Sequence, residues 1–174
     1  MSATLAASVH EIDVAPDIEA LFRAHYGRLV RALALVAGST EAASDAVQEA
    51  FVKAHLHWRK IQHYDDPVAW IRRVAINKLR DEHRRHQRRQ RLAERIGPDV
   101  PATVAEPELQ ELGALLNGLP RQQRLAVALY YVDQLSVAEI AEALGISAGA
   151  VKFHLHQGRN RLRNIVTDEG ISDE

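Results

Sequence analysis

Ser136 to Arg163 reads SVAEIAEALGISAGAVKFHLHQGRNRLR. Ser136 stands where a helix cap belongs, and Glu139, three residues on, is placed to complete a capping box. Ile140 and Leu144 then share one face, and Gly145 is positioned to take the left-handed conformation that ends a helix. Ile146 is expected in the core. Ser147 caps a second helix whose buried side includes Val151 and Leu155, which leaves Lys152, Phe153, His154 and Gln157 on the outer side. That is the layout of a helix-turn-helix, whose second helix enters the major groove of DNA with its N-terminal half against the base edges. Arg159, Arg161 and Arg163 continue along the same helix and suit backbone phosphates. Two packed helices joined by an ordinary Gly turn are the plainer alternative, and alone the motif says no more than DNA binding.

Upstream, Glu108 to Asn117 and Pro120 to Val132 read as two further helices. With Ser136 to Leu144 and Ala148 to about Ile165 they make a small helical domain over residues 108–168. Before it lies GPDVPATVAEP (Gly97 to Pro107), which holds three of the six prolines and no helical pattern. Residues 93–107 are therefore expected to be a flexible linker. The preceding part, residues 17–92, reads as another helical domain between a loose tail (1–16) and that linker, and residues 169–174 form a second tail.

Within residues 17–92, a first helix is predicted from Asp17 to Ala37 and ends at Gly38. Ser39 and Thr40 are candidate caps for a second, Glu41 to about Trp58, which puts Ala43, Val47, Ala50, Phe51, Ala54 and Trp58 on one core face. Asp45, Gln48, Glu49, Val52 and Leu56 point the other way. Val52 and Leu56 are apolar on a surface expected to be wet, which is either ordinary scatter or a partner surface. A loop from Arg59 to Asp66 follows, and Pro67 suits the first turn of a third helix capped by Asp66. That helix carries an apolar stripe of Val68, Ile71, Ala75 and Leu79. Trp70, Arg73, Asn77, Asp81 and Arg84 lie nearly opposite it.

The totals look neutral, with 22 Lys+Arg against 23 Asp+Glu in 174 residues. The distribution is not: residues 1–57 carry 4 basic and 7 acidic side chains, 58–95 carry 12 and 5, and 96–174 carry 6 and 11. The middle is a polycation, densest at HRRHQRRQR (His83 to Arg91), and it is either a solvated helical face or a phosphate-binding one. Cysteine is absent, which excludes disulfides, Cys-ligated zinc, iron–sulfur clusters and thiol catalysis, and the cytosol is the expected compartment. The longest apolar run, Leu125 to Val132, is eight residues, whereas a membrane span needs roughly 20. The N-terminus lacks the basic start of a secretory signal. Scarce glycine, no period-two alternation and abundant Ala, Leu, Arg and Glu make the expected fold all-α.

Taken together these segments resemble the extracytoplasmic-function (ECF) sigma factors of bacterial RNA polymerase, from Ile18 to Ile165. ALFRAHYGRLVRALALVAGSTEAASDAVQEAFVKAH looks like the first part of the family's domain two, DPVAWIRRVAINKLRDEHRR like its promoter-opening helix, and LPRQQRLAVALYYVDQLSVAEIAEALGISAGAVKFHLHQGRNRLR like domain four. The resemblance implies that Asp45, Gln48, Glu49 and Val52 dock on the clamp helices of the largest polymerase subunit, with the flap of the second-largest subunit as a further contact. It implies that Trp70, Arg73 and Asn77 face the minus-ten element, that His63, Tyr64 and Asp65 shape a pocket for an unstacked base, and that Arg80, Arg84 and Arg85 hold phosphates. Opening DNA costs a few kcal/mol per flipped base, which aromatic faces and cations along the freed strand offset. Ser147, Lys152, Phe153, His154, Gln157, Arg159 and Arg161 would read the minus-thirty-five element. Phe153 and His154 stand where the family often has Ser and Arg, and Ser44 replaces a common acid. Promoter DNA and core polymerase are the expected partners, an anti-sigma protein is a further candidate, the free chain is expected to be monomeric, and no membrane, cofactor or metal is expected.

Two other classes compete. An ordinary regulator with a C-terminal helix-turn-helix would explain the recognition helix but leave the Trp70 to Arg84 stripe and the exposed Val52 without purpose. A metal enzyme or hydrolase is prompted by the 9 histidines, yet His55/His57 and His154/His156 diverge by about 200° on a helix. His83 and His86 sit among arginines that would repel a cation, no HExxH occurs, and no Gly-rich phosphate loop or nucleophile-base pairing stands out. An activity of its own is not expected.

Overall fold

Asp17 has extended backbone and accepts a hydrogen bond from the Glu19 N–H at 3.4 Å, which opens α1 (Ile18–Ala37). Gly38, at φ 70°, closes it in the left-handed conformation. Ser39 then caps α2 (Thr40–Leu56) by accepting from the Ala42 N–H at 3.2 Å. The computed structural model describes residues 17–93 and 106–170. Among the described residues it contains helices only: α3 (Trp58–Ile61), α4 (Pro67–Ala93), α5 (Pro107–Asn117), α6 (Arg121–Tyr131), α7 (Val137–Leu144) and α8 (Ala148–Gly170) complete the set. The expected tails 1–16 and 171–174, and most of the expected linker, residues 94–105, lie outside the described residues.

The predicted boundaries need two adjustments. α2 stops at Leu56, so Trp58 opens the one-turn helix α3 inside what reads as a loop. Trp58 is half-buried against the core all the same. α8 runs on through Gly170, past the expected end near Ile165. Elsewhere the caps stand where the residue types put them, and Asp66 accepts from the Ala69 N–H at 3.0 Å at the start of α4.

Two helical regions, α1–α4 and α5–α8, pack against each other through α1. The second half of that helix, Leu29 to Val36, is buried at every position except Arg31. A helix apolar all round must be covered all round. On one side α1 meets α2 and α4, and on the other it meets α5 and α6, so one hydrophobic cluster runs through both regions. A second seam forms where α7 lies against α4. It holds a buried ion pair, Arg72 Nε to Asp133 Oδ2 at 3.0 Å. Among the described residues no helix is long and apolar enough to cross a membrane.

Candidate nucleic-acid and partner-docking surfaces

The helix-turn-helix is built as its residues dictate. Ser136 Oγ accepts from the Glu139 N–H at 3.2 Å and Glu139 Oε2 accepts from the Ser136 N–H at 2.8 Å, which completes the capping box and holds the Glu139 pKa down. Gly145 turns the chain at φ 66°, and Ser147 Oγ caps α8 by accepting from the Ala150 N–H at 3.1 Å. Val151 and Leu155 are buried, while Lys152 is exposed and Phe153 is 58% exposed. His154 is half-buried, with its ring edge-on to Phe153 at 5.7 Å and its Nδ1 buried without a partner among the described residues. Gln157 is half-buried.

The arginines along α8 separate into two kinds. Arg159 Nε donates to the Tyr131 hydroxyl at 2.8 Å, and its guanidinium lies 5.3 Å from the Tyr130 ring centre and 5.6 Å from that of Tyr131. It is held against α6. Arg161 is exposed, and Arg163 is exposed with a long bond to Asn160 Oδ1.

On α4, Asn77 and Arg73 are exposed, and Trp70 is half-buried with its ring against the core. Arg73 donates through Nη2 to the Glu142 carbonyl of α7, so the packed arrangement engages part of the outward stripe. Arg80 is half-buried, and burial and the neighbouring Arg84 lower its pKa. Arg84 pairs with Asp81, and Arg85 is exposed. In the loop before α4, His63 and Asp65 are exposed while Tyr64 is half-buried against the core.

Asp45 and Gln48 are exposed on α2, and Gln48 Nε2 donates to the Tyr26 hydroxyl at 3.2 Å and to Ser44 Oγ at 3.3 Å. Glu49 is less free than its position on the wheel suggests. Lys53 at 2.8 Å and Lys78 of α4 at 2.7 Å grip its carboxylate and hold its pKa down to about 2. Val52 and Leu56 are 58% and 72% exposed. With Ile18, Phe22 and Phe51 they line an open apolar groove between α1 and α2. Phe22 was not predicted at this surface, although it lies four residues after Ile18 on the same face of α1.

Sequence reasoning also missed Arg72 and Asp133. Arg72 lies four residues from both Val68 and Ile76, in the middle of the buried face of α4. A cation at that position calls for a buried acid, and Asp133, set in the apolar run YYVDQL, supplies it.

The sequence matches the Sigma-70 region 2 family over residues 21–89 and the Sigma-70 region 4 family over residues 109–162. It is 31% identical over 162 residues to the ECF RNA polymerase sigma factor SigE of Mycolicibacterium smegmatis, covering 87% of this chain and 62% of that protein. It is 31% identical over 150 residues to the RNA polymerase sigma-E factor of Streptomyces coelicolor, covering 84% of each. The fold is similar to that of the sigma factor RpoE of Bartonella quintana, solved with the anti-sigma factor NepR, at a TM-score of 0.73 and 21% identity over 87% of this chain and 97% of that one. A chain with both regions in order, and this likeness along most of its length, belongs to the ECF sigma factors of bacterial RNA polymerase.

Proposed function

We infer that the chain is an alternative sigma factor that binds core RNA polymerase, selects promoters, opens the DNA and so starts transcription, with no reaction of its own. The observation that carries this reading is the succession on one chain of region 2, with a polycationic fourth helix, and region 4, ending in a helix-turn-helix. The outward face of α2 docks on the clamp helices of the largest polymerase subunit. There Val52, Leu56 and Phe22 supply apolar surface, Asp45 and Gln48 a polar rim, and Glu49 a carboxylate already shared by two lysines. Region 4 rests on the flap of the second-largest subunit.

Trp70, Arg73 and Asn77, with His63, Tyr64 and Asp65, take the minus-ten strand, and Arg80, Arg84 and Arg85 hold its phosphates. Lys152, Phe153, His154 and Gln157 reach the minus-thirty-five bases. Arg161 holds backbone phosphates, Arg159 does so once it leaves the tyrosines, and Ser147 fixes the start of the reading helix. The protein works in the cytoplasm, is monomeric when free, and has an anti-sigma protein as a further partner.

Transcription of a genomic library by core polymerase with and without the chain tests this reading, with Val52→Asp as a third arm. New transcripts that share two spaced elements are expected with the wild type, and at least tenfold fewer with the variant at equal protein concentration. No chain-dependent transcripts would overturn the function, and full activity of Val52→Asp would overturn the docking surface.

A further inference from the structure

Arg80, His83 and Arg84 of α4 face Arg121 and Gln122 of α6 across a cleft of about 140 Å³ floored by Leu125. Among the described residues no carboxylate lines it. Arg84 is paired with Asp81, and Arg124, just behind, donates to the carbonyls of Asn117 and Leu119. Arg80 and Arg121, both half-buried, have no hydrogen bond or ion pair among the described residues. Burial first, then mutual repulsion, lowers the pKa of Arg121, and burial followed by Arg121 lowers that of His83. Packing the two regions has drawn like charges together and partly out of water, a cost that an anion between them would remove. The cleft also abuts the first turn of α6, whose N-cap is Pro120 with no side-chain cap, so free N–H groups and the positive end of an eleven-residue helix add to the field.

We propose that this α4–α6 cleft is a phosphate-binding site, assembled only while the two regions are packed together, and that an anion bound there holds the chain closed. Guanidinium forks from two helices match a tetrahedral phosphate better than a planar carboxylate, because more than two oxygens can be engaged at once. The volume accommodates a phosphate group. The rest of the ligand would run outward past Arg84, so a phosphate-terminated chain is the expected class. Arg80 and Arg84 are also proposed for promoter phosphates, which makes the anion and the promoter competitors. The site itself does not depend on that role.

Titration calorimetry and thermal unfolding of the full chain with inorganic tripolyphosphate, at fixed ionic strength, test the proposal. One-to-one binding and a rise in Tm are expected. Arg121→Gln should weaken binding at least tenfold, and Arg121→Lys, which keeps the charge and loses the fork, should give an intermediate loss and decides the matter if the first variant fails to fold. A double variant, Arg88→Gln with Arg89→Gln, should bind within threefold of wild type. The chain has no cysteine, so dyes on Lys60→Cys and Asn164→Cys report the separation of the regions, and tripolyphosphate should narrow its distribution. Unchanged binding by both Arg121 variants, loss confined to the Arg88/Arg89 variant, or a broadened distribution would overturn the proposal.

A 5′-phosphorylated thymidine decamer and its unphosphorylated twin separate the sources. Competition by the phosphorylated strand alone assigns the site to strand ends, and competition by neither assigns it to free oligophosphates. Equal competition by both would make the cleft part of a general nucleic-acid surface and overturn the proposal.

Discussion

Phe153 stands in the second turn of α8, exposed and edge-on to His154. A side chain with no hydrogen-bonding group offers a base only apolar contact, for instance to a thymine methyl, whereas an arginine in the groove makes a bidentate contact to guanine worth roughly 1–3 kcal/mol of discrimination. His154 is half-buried and has one unpartnered ring nitrogen below the surface, so it has less reach than its place on the wheel suggests. Replacing Phe153→Ser and His154→Arg together should move the selected minus-thirty-five element toward guanine and leave the minus-ten element unchanged. A randomised-promoter selection reads this directly. Identical upstream preferences for the two proteins would mean that these side chains do not reach the bases.

At the scale of the element, α8 carries a glycine in its interior, where alanine would ordinarily stabilise a helix by about 1 kcal/mol. Here the sign reverses. A Cβ on Gly158 would meet Val127 Cγ2 at 2.8 Å and Leu119 Cδ2 at 3.3 Å, both belonging to buried side chains on or beside α6. Val127 is β-branched and has little freedom to yield. Gly158→Ala should therefore cost about 1–3 kcal/mol through overpacking, seen as a lower urea midpoint with an unchanged slope, and a variant as stable as wild type would show that α6 and α8 can separate without penalty. The same helices show what was legible in the letters. Caps and the 3.6-residue rhythm are local, so Asp17, Ser39, Asp66, Ser136 and Ser147 could be placed from their neighbours alone, as could the outer residues Lys152 and Phe153. What α1 packs against is not local. ALALV (Ala32 to Val36) is apolar all round, and that was the signal for a helix covered on both sides, but the linker hid which region covers the second side. The grip of Lys78 on Glu49, the bond from Arg73 to Glu142 and the Tyr130–Tyr131 hold on Arg159 all join residues distant in sequence. No periodicity reports such pairs.

In the whole molecule, the seam between the regions combines apolar packing around α1 with one buried ion pair, and the two respond differently to change. Removing one partner of a buried pair leaves an uncompensated charge at a cost of about 3–5 kcal/mol, whereas replacing both by apolar groups of similar size is often neutral or stabilising. Asp133→Leu and Arg72→Met should accordingly each destabilise the closed chain by about that amount, and the two together should recover most of it in a double-mutant cycle of urea midpoints. Additive losses would show that the pair does not couple the regions.

His25 gives the same seam a pH dependence. Burial, then Arg72, then Arg28 lower its pKa below 6.5, against a weaker upward pull from Asp66 and Glu139, and its Nδ1 is buried without a partner among the described residues. A histidine whose pKa is lower in the folded state binds a proton more readily when unfolded. Its contribution is therefore whole above pH 6.5 and is lost as the pH falls from there through the folded-state value, with a slope of at most about 1.4 kcal/mol per pH unit. Burial raises the Asp133 pKa above 3.8 despite Arg72, which tilts the curve the other way at lower pH, so the difference between two proteins isolates the histidine. Stability of the wild type relative to His25→Gln, from urea midpoints at pH 7.5, 6.5 and 5.5, should fall across that series. A difference that stays constant with pH would mean that His25 titrates in the closed chain as it does in the unfolded one.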